Sequence, residues 1–352
     1  MYKERSMKTR ITELFGIKYP ILLSGMSFVS EPELVAAVSN AGGLGILATG
    51  TLNSDQTREY IRKIRTLTDK PFGANATLLF PGAYENAKVI LEEKVPVINF
   101  ALGKGDWIVK EANKYGGKVV ATVVNARHAK RAQDYGCHAV IATGHEAAAH
   151  GGPVTTLILV PRLAQELDIP VIAAGGVGDG RTLAAALALG ADGVAMGTRF
   201  ANTTESPVHL KMKELTIQKD VTDTFYTDRF DGVPARVMDT PGARKAMKSR
   251  VGLFTAFRNS FLIAKEMKMP YGKLFMQTMK AGLKTMIALA FLAKGFHGFR
   301  LSMVEGNLEE GVYPVGQVAG LVQDIPTTAE LVERIIAEAK EAQGRMSGLL
   351  AD

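Results

Sequence analysis

The chain has 352 residues, 47% hydrophobic and 22% charged, with a formal net charge of +7, enough to bury a large core as one or two domains. Its single cysteine, Cys137, excludes an intrachain disulfide and suits a reducing cytoplasm. No apolar run follows the basic start MYKERSMKTR, where Met7 is an alternative start, and the longest apolar run, Thr285–Ala293, is far short of the roughly 20 residues a membrane helix needs. The expectation is a soluble, cytoplasmic protein without a secretory signal.

Short apolar runs then alternate with helical stretches. The predicted strands are Ile21–Ser24, Leu44–Ala48, Phe72–Ala76, Val97–Phe100, Lys118–Val123, Ala139–Thr143, Val171–Gly175 and Gly193–Gly197. The predicted helices between them are Glu31–Ala41, Ser54–Thr68, Tyr84–Glu93, Asp106–Tyr115, Ala126–Tyr135, Val154–Leu167 and Arg181–Leu189. The strands are continuous apolar runs, as expected where both faces are buried. Eight such units in roughly 200 residues favour an α/β fold of the (β/α)8 type, a TIM barrel, over an open sheet.

The last two strands each end in a glycine-bearing turn. Gly175, Gly176 and Gly178 lack a Cβ, so several backbone N–H groups can approach one anion. Asp179 reads as the N-cap of the following helix, whose positive end is expected to face the same spot. Met196, Gly197 and Thr198 repeat the device with a hydroxyl added. The usual phosphate site of this barrel follows strands seven and eight, so the strand count and the turn chemistry point to one place.

After Phe200 about 100 residues read as helical, and strand signals do not return. Thr327–Gln343, preceded by Pro326, reads as the closing barrel helix. The expected division is a barrel of residues 1–205 and 305–352 with a mainly helical insertion of residues 206–304. Methionines at 238, 247, 267, 269, 276, 279, 286 and 303 are read either as packing between helices or as a flexible apolar lid. The insertion holds 17 Lys/Arg against 7 Asp/Glu, leaving 25 against 28 elsewhere. That surplus is either a solvated helical face or an attraction for an anionic partner, such as a nucleotide, an acidic carrier protein or a second subunit. Nucleic acid is not expected, because the basic residues are spread among apolar helix faces without clustered aromatics.

The end of strand six carries ATGHEAAAHGG, with His145, Glu146 and His150 in one loop. The histidines are five apart, whereas a zinc helix needs four, so no metal is expected. A buried structural histidine and a general base remain as readings. His150 is preferred over His145 for the base, since Gly151 and Gly152 beside it leave room for substrate.

Taken together, the segments TRITELFGIKYPILLSGM, AAVSNAGGLGILATG, LTDKPFGANATLL, GHEAAAHGG, DIPVIAAGGVGDGRTLAAALALGADGVAMGTRF and YPVGQVAGLVQDIP resemble the FMN-dependent nitronate monooxygenase family, also called 2-nitropropane dioxygenases. The same segments occur in flavin-dependent enoyl-acyl-carrier-protein reductases and in an NADH:quinone reductase group. The resemblance implies FMN as cofactor, with Ser24, Gly25 and Met26 against the flavin ring, Asn75 in contact with it, and Gly175, Gly176, Met196, Gly197 and Thr198 around its phosphate. It implies His150 as the catalytic residue, with Gly151 beside it in the cofactor site.

Two positions depart from the family pattern. Ala148 and Ala149 stand where relatives carry Ala-Gly before the histidine, which narrows the space over the flavin. Thr122 stands where many relatives have a lysine reaching the flavin, and loss of that cation disfavours an anionic reduced ring. The resemblance implies oxidation of nitronates or nitroalkanes by O2 to a carbonyl compound and nitrite, with His150 as base. The alternative is an FMN-dependent reductase in which NAD(P)H supplies electrons to a quinone or an enoyl thioester. A homo-oligomer is left open. Phosphate-binding barrels of the inosine-monophosphate dehydrogenase type need a catalytic cysteine on a loop, whereas Cys137 lies between the fifth predicted helix and strand six.

Overall fold

A computed structural model describes residues 7–80, 82–148, 150–248 and 283–351, the side chains of 283–290, 292 and 293 excepted. Eight parallel strands are paired in the order β1-β8-β7-β6-β5-β4-β3-β2. They are β1 (Ile21–Leu23), β2 (Gly45–Ala48), β3 (Phe72–Thr77), β4 (Val97–Ala101), β5 (Lys118–Val123), β6 (Ala139–Thr143), β7 (Val171–Ala174) and β8 (Gly193–Met196). A parallel bridge between Leu22 and Leu44 joins the two ends of that order and closes the barrel.

The period-2 geometry of a strand divides the apolar residues between two cores. Leu22, Ile46, Val97, Val120, Ile141, Ile172 and Ala195 point inward. Ile21, Leu23, Leu47, Ile98, Val140, Val171 and Val194 point outward, against the helices. The barrel floor is filled by a helix that the sequence pattern did not signal, α1 (Arg10–Phe15), which sends Ile11 and Phe15 into the inner core. Thr9 caps it through a reciprocal pair with Thr12.

The outer helices are α2 (Pro32–Asn40), α3 (Ser54–Leu67), α4 (Ala83–Glu92), α5 (Asp106–Asn113), α6 (Ala126–Asp134), α7 (Thr156–Glu166) and α8 (Gly180–Ala188). The C-terminal helix Thr328–Leu349 packs on α8 and α2, the place of the eighth barrel helix, and runs six residues beyond the predicted end. As expected, Asp179 caps α8: its Oδ1 accepts the Thr182 N–H at 2.8 Å while its own N–H donates to Thr182 Oγ1 at 3.1 Å. Asp179→Ala should cost about 1 kcal/mol. A thermal melt should record this as a fall of about 1–3 °C, and an unchanged melt would show that the cap adds nothing.

Between β8 and the closing helix lie α9 (Thr198–Ala201), α10 (Leu210–Gln218), α11 (Pro241–Lys248) and the helix Leu283–Met303. The expectation that strands do not return is corrected: β9 (Thr224–Thr227) and β10 (Ala235–Met238) form an antiparallel pair, with Ala235 opposite Thr227 and Met238 opposite Thr224. Each strand is only four residues long, too short to raise a periodic signal against the surrounding helical residues. Phe230, Val237, Met238, Ala243, Phe299 and Met303 join the same buried cluster as the outer barrel core. Met238 and Met303 are therefore packing residues, and Met247 lies against them. Methionines 267, 269, 276 and 279, and the side chain of Met286, lie outside the described residues. Among the described residues no helix is long and apolar enough to cross a membrane. Cys137 is buried in the outer core, where burial pushes its thiol up to about 12.

Candidate active site

The chain leaves β7 through Gly175 (φ 101°) and Gly176 (φ 74°), a pair of left-handed conformations that only glycine adopts without strain. Such a turn gathers consecutive N–H groups into a concavity that suits an anion. Among the described residues, no acceptor serves the N–H groups of Gly175, Gly176 and Val177. Beyond the turn the N–H groups are occupied: those of Gly178 and Asp179 donate to Thr182 Oγ1 at 3.1 Å, and that of Gly180 to Glu338 at 2.8 Å. The N–H groups of Gly178, Asp179 and Gly180 at the start of α8 are thus not free for the anion expected there. The glycine turn, rather than the helix end, carries the open donors.

After β8, Thr198 is buried and its Oγ1 accepts the Gly316 N–H at 3.0 Å. A hydroxyl that accepts in this way still has its own hydrogen to donate. Met196 lies in the outer core and offers the neighbouring loop only its carbonyl, which accepts the Ser24 N–H at 3.0 Å.

A cavity of about 610 Å3 lies over the C-terminal ends of the strands, and these two turns form one wall of it. Ser24, Gly25, Met26, Asn75, His150, Gly175, Gly176, Gly197 and Thr198 all line it, whereas Gly151 and Met196 do not. The loop after β1 can lie flat on β3 because Gly25 has no side chain: a Cβ there would come within 2.7 Å of Asn75 Cβ. Asn75 begins a polar chain across the barrel mouth. Its Nδ2 donates to Asn99 Oδ1 at 2.5 Å, and Asn99 Nδ2 donates to Thr122 Oγ1 at 3.0 Å. Thr122 thus lines the cavity as a neutral group.

The loop after β6 is pinned at several points. Glu146 accepts the Thr156 N–H at the start of α7, at 2.9 and 3.1 Å from its two oxygens, and its carbonyl accepts the Gln317 N–H at 3.0 Å. His145 turns away from the cavity: its Nδ1 lies 3.0 Å from the Gly152 carbonyl and its ring meets Tyr226 edge-on at 4.4 Å. His145 is therefore the structural histidine of the loop. Ala148 lines the cavity, and Ala149 lies outside the described residues.

His150 faces the cavity with its Nε2 2.7 Å from Asp231 Oδ2, and Asp231 is 4% exposed. A carboxylate accepts, so Nε2 carries the hydrogen, and in the neutral ring Nδ1 then keeps a free lone pair. Among the described residues Nδ1 has no protein partner. The sequence reading missed Asp231. It comes from the hairpin loop between β9 and β10, where it also accepts the Val233 N–H at 3.2 Å and precedes Gly232 at φ 87°. The same hairpin ties down the histidine loop: the Tyr226 hydroxyl donates to the Gly151 carbonyl at 2.7 Å, and Arg236 donates to the His145 carbonyl at 3.0 and 3.2 Å. The one local cue was the Asp231-Gly232 pair, a common turn signal.

These residues fit an FMN. The orphaned donors of the glycine turn and the buried Thr198 hydroxyl offer a phosphate several hydrogen bonds, and the cavity has the size and mixed lining of a cofactor site. The opposite wall adds Phe80, Phe296, Phe299 and Met303, with Phe80 and Phe296 edge to face at 4.9 Å.

Known proteins share this arrangement over most of the chain. The family described as nitronate monooxygenase matches residues 8–88 and 80–338. A Rhodococcus jostii protein named (3aS,4S,5R,7aS)-5-hydroxy-7a-methyl-1-oxo-octahydro-1H-indene-4-carboxyl-CoA dehydrogenase is 38% identical, over 95% of this chain and 96% of that one. A probable nitronate monooxygenase of Staphylococcus saprophyticus is 33% identical over 65% of this chain and 78% of its own length. Among solved structures, FabK from Thermotoga maritima superposes with a TM-score of 0.82 at 38% identity, covering 98% of this chain and 100% of its own. A nitroalkane oxidase from Streptomyces ansochromogenes gives 0.77 at 26%, covering 96% and 100%. The match of the family over nearly the whole chain, on a barrel with these segments at its mouth, makes this protein an oxidoreductase that belongs to the nitronate monooxygenase family.

Proposed function

We propose that this protein is an FMN-dependent oxidoreductase acting on a carbon acid, a substrate whose reacting C–H is acidified by a neighbouring nitro or thioester group. The observation that carries the reading is the His150–Asp231 pair, 2.7 Å apart at the cavity wall. His150 Nδ1 takes the proton from the acidified carbon, and Asp231 holds the ring in the tautomer that can do so and steadies the imidazolium that results. Gly175, Gly176, Gly197 and Thr198 hold the phosphate of the cofactor, while Ser24, Gly25, Met26 and Asn75 bound its ring. When bound, FMN supplies the acceptor for the electron pair the substrate gives up. The apolar wall of Phe80, Phe296, Phe299 and Met303 keeps water from the reacting carbon.

Two substrates satisfy this chemistry. A nitroalkane or its nitronate, with O2 as co-substrate, gives a carbonyl compound and nitrite. An acyl thioester loses a proton and a hydride; in the reverse direction an enoyl thioester would take its hydride from a flavin reduced by NAD(P)H and its proton from the His150 imidazolium. The thioester is favoured by the Rhodococcus relative, whose name is that of a CoA-ester dehydrogenase and whose match spans 95% of this chain. Anaerobic mixing of the FMN-loaded protein with an acyl-CoA, a nitronate, NADH and NADPH in turn separates the readings. Bleaching of the flavin by an acyl-CoA supports the thioester, bleaching by a nicotinamide supports a reductase, and bleaching by nitronate alone returns the assignment to nitronate oxidation.

A further inference from the structure

The cavity does not end over the barrel axis. It continues outward between the turn before α5 and the face of α6, where Leu102, Gly103 and Lys104 line one side and His128, Arg131 and Tyr135 the other. The helices α5 and α6 make little contact with each other, unlike α6 and α7 on the neighbouring side, so the outer layer is open at this point. Lys104 and Arg131 are exposed, and among the described residues neither has an ion pair or hydrogen bond through its side chain. Arg127, on the next turn of α6, is likewise exposed and unpaired. Burial first, and then the charges of Arg127 and Arg131, push His128 below its ordinary value. Several other arginines of the barrel surface have carboxylate partners: Arg58, Arg62 and Arg65 meet Glu93, and Arg334 pairs with Asp324.

The apolar residues of this arm are as informative as its charges. Leu102 is 40% exposed in a left-handed conformation (φ 54°), and the ring of Tyr135 stands on the facing helix. Cations beside an exposed leucine and a tyrosine ring suit a ligand with phosphates and a flat heterocycle. A nitroalkane has neither and needs no such arm.

We infer that the channel between the turn before α5 and α6 binds the phosphorylated adenosine tail of the substrate or co-substrate, with Lys104 and Arg131 on its phosphates and Leu102 and Tyr135 beside its base. The inference rests on the proposed oxidoreductase reading, in which the reactive end of the same molecule lies at His150. Two ligands share this tail, coenzyme A and NADPH, and their phosphates are alike in charge.

Isothermal titration of the FMN-loaded full chain with free coenzyme A, and separately with NADP+ standing for NADPH because it carries the same tail and cannot reduce the flavin, tests it without turnover. Lys104→Glu and Arg131→Glu should each weaken binding about tenfold, and together about a hundredfold, the loss shrinking as salt screens the field. Arg127→Glu, beside the channel but outside its lining, should weaken binding about threefold or less by the same screened field. Weakening of coenzyme A alone assigns the arm to the thioester, weakening of NADP+ alone assigns it to the electron donor, and weakening of both shows one shared tail site. Equal affinity in the double variant and the wild type, or no binding of either nucleotide by the wild type, would overturn the inference. Because heat rather than flavin colour is read, a protein that binds coenzyme A but takes up no FMN would instead contradict the cofactor assignment.

Discussion

Replacing His150 with alanine should slow anaerobic flavin reduction by a neutral carbon acid by about 10²–10⁴-fold, the usual contribution of a positioned base. A preformed nitronate has already lost that proton, so its reduction rate should fall far less. Asp231→Asn is the more discriminating change. An amide in that place donates its N–H to Nε2, which shifts the hydrogen to Nδ1 and removes the lone pair the substrate needs. A loss of about 10²-fold or more on the neutral substrate, again with little effect on the nitronate, is expected from the wrong tautomer. Equal losses on both substrates would mean that the pair only positions the substrate.

Gly176→Val combined with Thr198→Val should lower FMN affinity by about 10²-fold, with the barrel still folded. A Cβ on Gly176 meets only Glu146 Cβ and Cγ, at 3.6 and 3.7 Å, so there is room for it in the protein itself. Two effects remain: a β-branched residue at φ 74° is strained by roughly 1–2 kcal/mol, and its methyl groups occupy the space of the anion. Thr198→Val also removes the hydroxyl that can donate to the phosphate while leaving the Gly316 N–H without its acceptor. Dialysis against free FMN measures the loss, and circular dichroism checks that the fold persists. Unchanged retention would place the phosphate elsewhere.

The barrel and the two glycine turns at its mouth were legible in the sequence for a common reason: parallel strands buried on both faces are unbroken apolar runs, and glycines mark where two of them end. The ends were misplaced by one residue where Ser24, Gly175 and Gly197 already turn out of the ladder. His150 and the structural role of its neighbour could be separated only in space, since His145 is fixed by Tyr226 and Gly152, neither of which a motif names. Asp231 was out of reach for a stronger reason. It lies 81 residues from its partner, and its approach depends on how a short hairpin packs across the barrel mouth. Lys104 and Arg131, which line the cavity, belong to the barrel rather than to the basic insertion, and no motif of the sequence singles them out.

The insertion therefore has a defined task whatever the rest of it does. Through Asp231, Tyr226 and Arg236 it fastens the loop after β6 and sets a carboxylate against His150, so the proposed base depends on the insertion for its support. The depressed Asp324 carboxyl shows a parallel fastening beside the turn after β8, where Arg199 follows Thr198. Burial raises it, but hydrogen bonds and charge from Arg334 and Arg199 outweigh that and hold it below its ordinary value. This contribution to stability is present above the ordinary carboxylate range and is lost as pH falls through the depressed value.

The central claim, an FMN held at the glycine turns of this barrel, is tested most directly by equilibrium dialysis of the wild-type chain with FMN, followed by denaturation and identification of the released flavin. The account predicts a yellow protein that releases FMN at about one per chain, as one phosphate cradle requires; a colourless protein that takes up none would contradict it.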